Sequence, residues 1–264
     1  MGSFVLKGFG RPIEAWRVLH EQGASSRFEA QFMQPMVEFI GRDSEITLLF
    51  DRWAKARVGI GQAMLLSGDA GIGKSRICQS FRERLSSEQI TRVLLQCTPY
   101  FSSSSLYPVI EHLERAAITV VDDLPDVRVR KLEQLAVGLP PALLGSLLRL
   151  MGLSDGGRSI PGGVSSQDEK VHIREALIEL LKTWAEKKPV LLLVEDAHWI
   201  DPSTDQLLGQ IAERIGKLRV LMLITCRPEY KPAWSNQAHV TRHALARLSH
   251  QQCVSLVRAR SEIT

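Results

Sequence analysis

Long apolar runs are missing from this sequence. The most continuous ones, Val190–Val194 and Val220–Ile224, have the length of a strand, far below the roughly 20 residues a helix needs to cross a bilayer. The opening residues Met1-Gly2-Ser3-Phe4-Val5-Leu6-Lys7 lack the apolar core of a signal peptide. A cytoplasmic protein with no membrane partner is therefore expected. Cysteine is sparse as well. Cys78, Cys97, Cys226 and Cys253 are far apart and form no C-x-x-C pair, which argues against structural zinc and a disulfide framework and for buried, reduced thiols. Charge of one sign is not massed anywhere: the net charge is +4 and the basic residues are scattered, so no nucleic-acid partner is indicated. The histidines, His198 among them, form no compact ligand cluster, no G-x-S-x-G nucleophile motif occurs, and no repeat of solenoid period is visible.

What the sequence does contain is Gly68-Asp69-Ala70-Gly71-Ile72-Gly73-Lys74-Ser75, directly after the apolar run Ala63–Ser67. The pattern is G-x-x-x-x-G-K-[ST], placed between a strand and a helix as a phosphate-binding loop requires. Its glycines let backbone N–H groups turn inward around a phosphate chain. Lys74 is expected to place its charge on the outer phosphates, and the Ser75 hydroxyl to ligate Mg²⁺. From Arg76 onward, apolar residues at 77, 78, 81 and 85 have helical spacing, so a helix N-terminus adds its dipole to the anion site.

The order of parts points to an α/β fold with a parallel sheet covered by helices on both faces. Strands are expected at 63–67, 92–97, 190–194 and 218–225, alternating with helices at 46–56, 76–85, 106–118, 127–151 (broken at Pro140-Pro141) and 168–187. Asp43 or Ser44 is expected to cap the first of these helices. Asp201-Pro202 opens a further one, with Asp as N-cap and Pro at the first helical position. Near the start, Phe4–Leu6 and Ala15–Leu19 suggest two strands around a Gly/Pro turn. Residues 23–34 have linker composition, and 152–166 form a Gly/Ser/Pro-rich loop.

The strand 190–194 runs into Glu195-Asp196. Two carboxylates at the end of a buried strand, beside a phosphate loop, are where a metal-positioning acid and a water-polarising acid belong. Glu195 is read as the Mg²⁺ holder, together with Ser75, and Asp196 as the acid that polarises the attacking water. Arg227 follows the next strand; if that strand lies between the other two, its guanidinium can sense the terminal phosphate. Thr225 is the alternative sensing group, and His198 is read as packing beside the site.

Three segments in order carry a family resemblance: Phe39-Ile40-Gly41-Arg42-x-x-Glu45, Leu65–Arg76, and Leu193-Val194-Glu195-Asp196-Ala197-His198-Trp199-Ile200-Asp201. They resemble the STAND-like AAA ATPase modules, a P-loop NTPase (ASCE/AAA-like) fold, of bacterial signalling proteins. The match is to those in which a class III adenylate/guanylate cyclase is followed by an ATPase and TPR-like repeats. The resemblance implies ATP rather than GTP, with Mg²⁺, and no guanine-reading N-K-x-D is present. It places Ile40, Gly41 and Arg42 near the adenine, and Gly68, Asp69, Ala70, Gly71, Ile72, Gly73, Lys74, Ser75 and Arg76 around the phosphates, with Lys74, Glu195, Asp196 and Arg227 as catalytic residues. It also implies a division into 1–22 (like the last hairpin of a cyclase domain), 23–35 (linker), 36–248 (ATPase) and 249–264 (start of a helical lid), a truncated arrangement that makes no cyclic nucleotide. A regulatory ATPase acting with other domains or protein partners is expected, with oligomerisation left open; a non-hydrolysing ATP-binding scaffold is the alternative. Many relatives end the acidic strand Asp-Glu, whereas here the order is Glu195-Asp196. Withdrawing the second carboxylate by a methylene, where about 1 Å of misplacement can cost roughly 100-fold, implies slow turnover.

Overall fold

The computed structural model describes residues 2–4, 13–15, 40–119, 123–154 and 166–261. The chain divides into two compact units, Met1–Met36 and Val37–Thr264. In the first, strands β1 (Gly2–Phe4) and β2 (Ile13–Ala15) pair antiparallel, with Ser3 opposite Glu14. A two-stranded pairing was expected, but both strands begin earlier than the sequence suggests. The linker at 23–35 and most of the 152–166 loop lie outside the described residues.

The second unit is built on a five-stranded sheet: β3 (Gln62–Ser67), β4 (Thr91–Gln96), β5 (Val190–Glu195), β6 (Val220–Cys226) and β7 (Val240–Ala244). The order is β4-β5-β6-β3-β7 and every pairing is parallel. Strands β5 and β6 are buried along their whole length, as their uninterrupted apolar sequence requires of strands covered on both faces. Side chains alternate between two cores. Met64, Leu66, Leu191, Leu193, Leu221 and Leu223 face helices α1 (Asp43–Arg57) and α2 (Lys74–Arg84), which contribute Leu49, Trp53, Ile77 and Phe81. Ala63, Leu65, Leu192, Val194, Met222 and Ile224 face the opposite core. That core is filled from α3 (Tyr107–Ala116), α4 (Pro125–Leu135), α5 (Pro141–Leu150), α6 (Ser166–Lys187) and α7 (Pro202–Arg214). A last helix, α8 (His250–Ser261), follows β7.

Three sequence expectations need correction or completion. Neither Asp43 nor Ser44 caps α1: the helix begins at Asp43, and the cap position is Arg42 without a side-chain cap bond. The Ser44 hydroxyl donates instead to Glu45 Oε2 at 2.7 Å. Strand β7 was not foreseen, because this edge strand is only half covered and its sequence, Val-Thr-Arg-His-Ala, carries no apolar run. Cys253 is exposed, whereas Cys78, Cys97 and Cys226 are buried free thiols as expected. At α7 the reading holds: Asp201 Oδ1 accepts from Ser203 N and Thr204 N, both at 3.0 Å, and Pro202 starts the helix.

Candidate nucleotide-binding site

Parallel β-strands leave their C-terminal ends along one edge, and here that edge carries Ser67, Gln96, Glu195 and Cys226. The loop 68–73 leaves β3 pinned to β6 through Gly68 N–H donating to Cys226 O at 3.2 Å. Gly71 and Gly73 have φ of +74° and +107°, and a side chain placed on either would meet open space. Both glycines thus hold a conformation L side chains rarely adopt, beside open space. Lys74, only 7% exposed, begins α2 and donates from Nζ to Gly68 O at 2.7 Å and Asp69 O at 2.9 Å. Burial lowers its pKa below the ordinary lysine range, and the Asp196 carboxylate pulls it partly back. Ser75 and Arg76 follow on the first turn of α2.

Glu195 ends β5, buried, with Gln96 opposite it on β4. Gln96 Nε2 donates to Glu195 Oε2 at 3.2 Å. The next residue, Asp196, has left-handed backbone (φ 56°, ψ 44°), and its N–H donates to Thr225 Oγ1 at 3.0 Å. That bond exists because β6 lies between β5 and β3, the arrangement on which the sequence reading of Arg227 depended. Arg227 leaves the end of β6 with its guanidinium 5.7 Å from the Trp199 ring centre, a cation–π distance. Asp196 and Arg227 both act electrostatically on Lys74 and on His198. Thus Lys74, Glu195, Asp196 and Arg227 gather at one edge. His198 Nδ1 is buried without a hydrogen-bond partner among the described residues, and burial pulls the ring below the usual histidine range.

On the other side of the loop, Ile40 and Gly41 lead into Arg42, whose side chain turns inward. Arg42 NH1 pairs with Glu45 Oε1 at 2.9 Å, and NH2 donates to Ile72 O at 3.1 Å. The guanidinium thus braces the phosphate loop against α1. Burial works against the Glu45 carboxylate, but bonds from Ser44, its own backbone and Arg42 outweigh it and hold its pKa low.

Sequence reasoning missed Gln96 and the inward turn of Arg42, and it saw Asp201 only as a cap. Asp201 Oδ1 also accepts from Leu106 N at 3.1 Å, tying the segment after β4 to the start of α7. No sequence signal marks the bonds of Gln96 to Glu195, Arg42 to Ile72 or Asp201 to Leu106, since each joins residues distant along the chain.

No group of three His, Cys, Asp or Glu residues able to hold a metal occurs among the described residues. A hard Mg²⁺ ion suits such a site, because it takes one or two carboxylates plus phosphate oxygens rather than an all-protein cage. An open backbone cradle, a buried ammonium and adjacent carboxylates fit a nucleotide phosphate chain with its cation.

Fold and site together define a P-loop nucleotide-binding α/β domain. The chain belongs to the AAA ATPase domain family, which it matches over residues 38–224. Membership implies ATP binding, with hydrolysis and Mg²⁺ use as is usual in the family. An uncharacterized protein of Rhizobium meliloti (strain 1021) is 32% identical over 265 residues. The match takes in 98% of this chain and 25% of that relative, so the chain spans about a quarter of its length. Among solved structures, the Orc1 protein of Aeropyrum pernix in complex with DNA is similar (TM-score 0.52, 15% identity, 86% of this chain and 50% of that one). So is Cdc6p of Pyrobaculum aerophilum (TM-score 0.50, 14% identity, 84% and 49%). At these identities the likeness is one of fold. Among the described residues, no helix is long and apolar enough to cross a membrane.

Proposed function

We propose that this chain is a regulatory ATPase module that binds Mg-ATP, hydrolyses it slowly and thereby switches conformation within a bacterial signalling protein of the cyclase–ATPase–TPR kind. The observation that carries the reading is the convergence of Lys74, Glu195, Asp196 and Arg227 beside an open phosphate loop. In this reading the N–H groups of 68–76 surround the phosphates, and Lys74 exchanges its loop carbonyls for outer phosphate oxygens. Mg²⁺, when bound, would supply neutralisation of the phosphate charge. Ser75 and Glu195 hold that ion, Asp196 orients and polarises the water, and Arg227 senses the terminal phosphate. Ile40–Arg42 forms the base side. The signalling context rests on the ordered motif resemblance, and a relative about four times as long is compatible with further domains. The hairpin of residues 1–22 is assigned as the tail of a cyclase domain and α8 as the first helix of a lid.

Phosphate release from Mg-ATP, together with direct nucleotide binding, tests this reading in the parent, Lys74→Ala and Asp196→Asn. The expected result is turnover lost in both variants and binding retained in Asp196→Asn. Binding without turnover in the parent supports the scaffold alternative, and absence of binding overturns both.

A further inference from the structure

Helix α8 reaches the base side of the site through one side chain. Gln252 Nε2 donates to Gly41 O at 3.3 Å, across 211 positions of sequence. The side chain lies flat against the glycine: a Cβ at position 41 would sit 2.8 Å from Gln252 Cδ, and Gly41 has φ of +74°. From Gly41 the path continues through Arg42, which donates to Ile72 O of the phosphate loop at 3.1 Å. Helix α8, the base-side segment and the phosphate loop are thus joined by consecutive hydrogen bonds.

The same glutamine also caps its own helix. Ser249 N donates to Gln252 Oε1 at 2.8 Å, and Gln252 N donates to Ser249 Oγ at 3.3 Å, a reciprocal capping box. Glutamate serves that box equally well, and only the amide has a donor left over for Gly41. The other link in this region, Arg247 to Asp69 at 3.8 Å, joins side chains 89% and 66% exposed, where solvent screening leaves little energy.

We propose that Gln252 is a positioning residue: its amide ties α8 to Gly41, so that the seating of α8 sets the shape of the base-side wall and with it the affinity for ATP. The proposal rests on the ATPase reading and adds how the site is coupled to the helix beyond β7.

Gln252→Glu separates the two roles, keeping the cap while setting a carboxylate against the Gly41 carbonyl. Gln252→Ala removes both. Amide hydrogen exchange on the full chain without nucleotide, and ATP titration with steady-state turnover, are the readouts. In Gln252→Glu, exchange is expected to quicken over residues 40–46 while α8 stays protected. ATP affinity is expected to fall about 3- to 10-fold, the loss of one partly buried hydrogen bond, with KM raised more than kcat is lowered. Gln252→Ala is expected to expose α8 as well. Unchanged exchange over 40–46 in Gln252→Glu overturns the tie. Faster exchange with unchanged affinity overturns its role in nucleotide binding. A parent that binds no ATP overturns the ATPase reading, while the exchange measurement still decides the tie.

Discussion

Asp196 shows why the order of the two acids is a backbone matter as well as one of reach. Its left-handed conformation is one that Asp and Asn enter several-fold more readily than most residues, since a short polar side chain relieves the crowding. A glutamate there would gain a methylene and lose that tolerance. The conformation is held by Thr225, 1% exposed, whose Oγ1 accepts the Asp196 N–H. Thr225 thus bears on the site through the backbone of its neighbour. Thr225→Val keeps the shape and removes the acceptor, leaving a partly buried N–H unpaired. Turnover is expected to fall about 10- to 100-fold, the scale of a small misplacement of the acid. ATP affinity should stay within roughly threefold, since the phosphate loop is untouched. Phosphate release and nucleotide titration on the same preparation check this, and unchanged turnover would detach Thr225 from the acid. The acids, the lysine and the loop could be read from sequence because each belongs to a contiguous motif. The bracing by Arg42 and the amide of Gln96 could not, because burial and pairing across the fold decide where a long side chain turns.

Elements were legible where local chemistry is strong. Pro202 opens a helix, the Pro140-Pro141 pair separates two, and the apolar strands β3 to β6 fall near their expected places. The edge strand β7 was not, and the Ser249–Gln252 box was there to be read but needs the fold to show what it touches. One element carries visible strain. Helix α3 ends with Thr119 N donating to Glu114 O at 3.0 Å and Ile118 N to Arg115 O at 3.1 Å, a Schellman closure. That closure puts Ile118 at φ 54°, a position that favours glycine and that a β-branched residue fills at a cost of about 1–2 kcal/mol. Ile118 is 75% exposed, so its side chain returns little burial energy. Ile118→Gly, after the extra chain entropy glycine loses on folding, is expected to stabilise the fold by up to about 1 kcal/mol. That corresponds to roughly 2–4 °C in melting temperature. Ile118→Asn should move the same way by less. Calorimetry reads both, and a lower melting temperature in each would mean that the isoleucine makes a contact worth more than its strain.

For the whole molecule, two cores on opposite faces of one sheet make the domain insensitive to any single surface contact, yet one buried group makes it sensitive to acid. His112 on α3 lies in the apolar core between sheet and helices, 8% exposed, with its ring edge-on to Trp184. Its Nδ1 accepts from Leu94 N at 3.4 Å, which requires that nitrogen unprotonated. Burial, aided by the charge of Arg115, lowers its pKa from 6.5 to about 4. Above pH 6.5 the ring is neutral in folded and unfolded chains and stability is unaffected. As pH falls below that value the unfolded chain takes up the proton first, so stability drops until the folded ring titrates near pH 4. At about 1.4 kcal/mol per unit, the loss amounts to about 2 kcal/mol by about pH 5. Urea unfolding of the parent and of His112→Leu, each at neutral pH and near pH 5, isolates this contribution from that of the carboxylates common to both. The substitution leaves Leu94 N–H without its acceptor and so costs stability at every pH, but its loss between the two conditions should be smaller than the parent's by about 2 kcal/mol. Equal losses would mean that the ring takes up its proton in the folded chain at no extra cost.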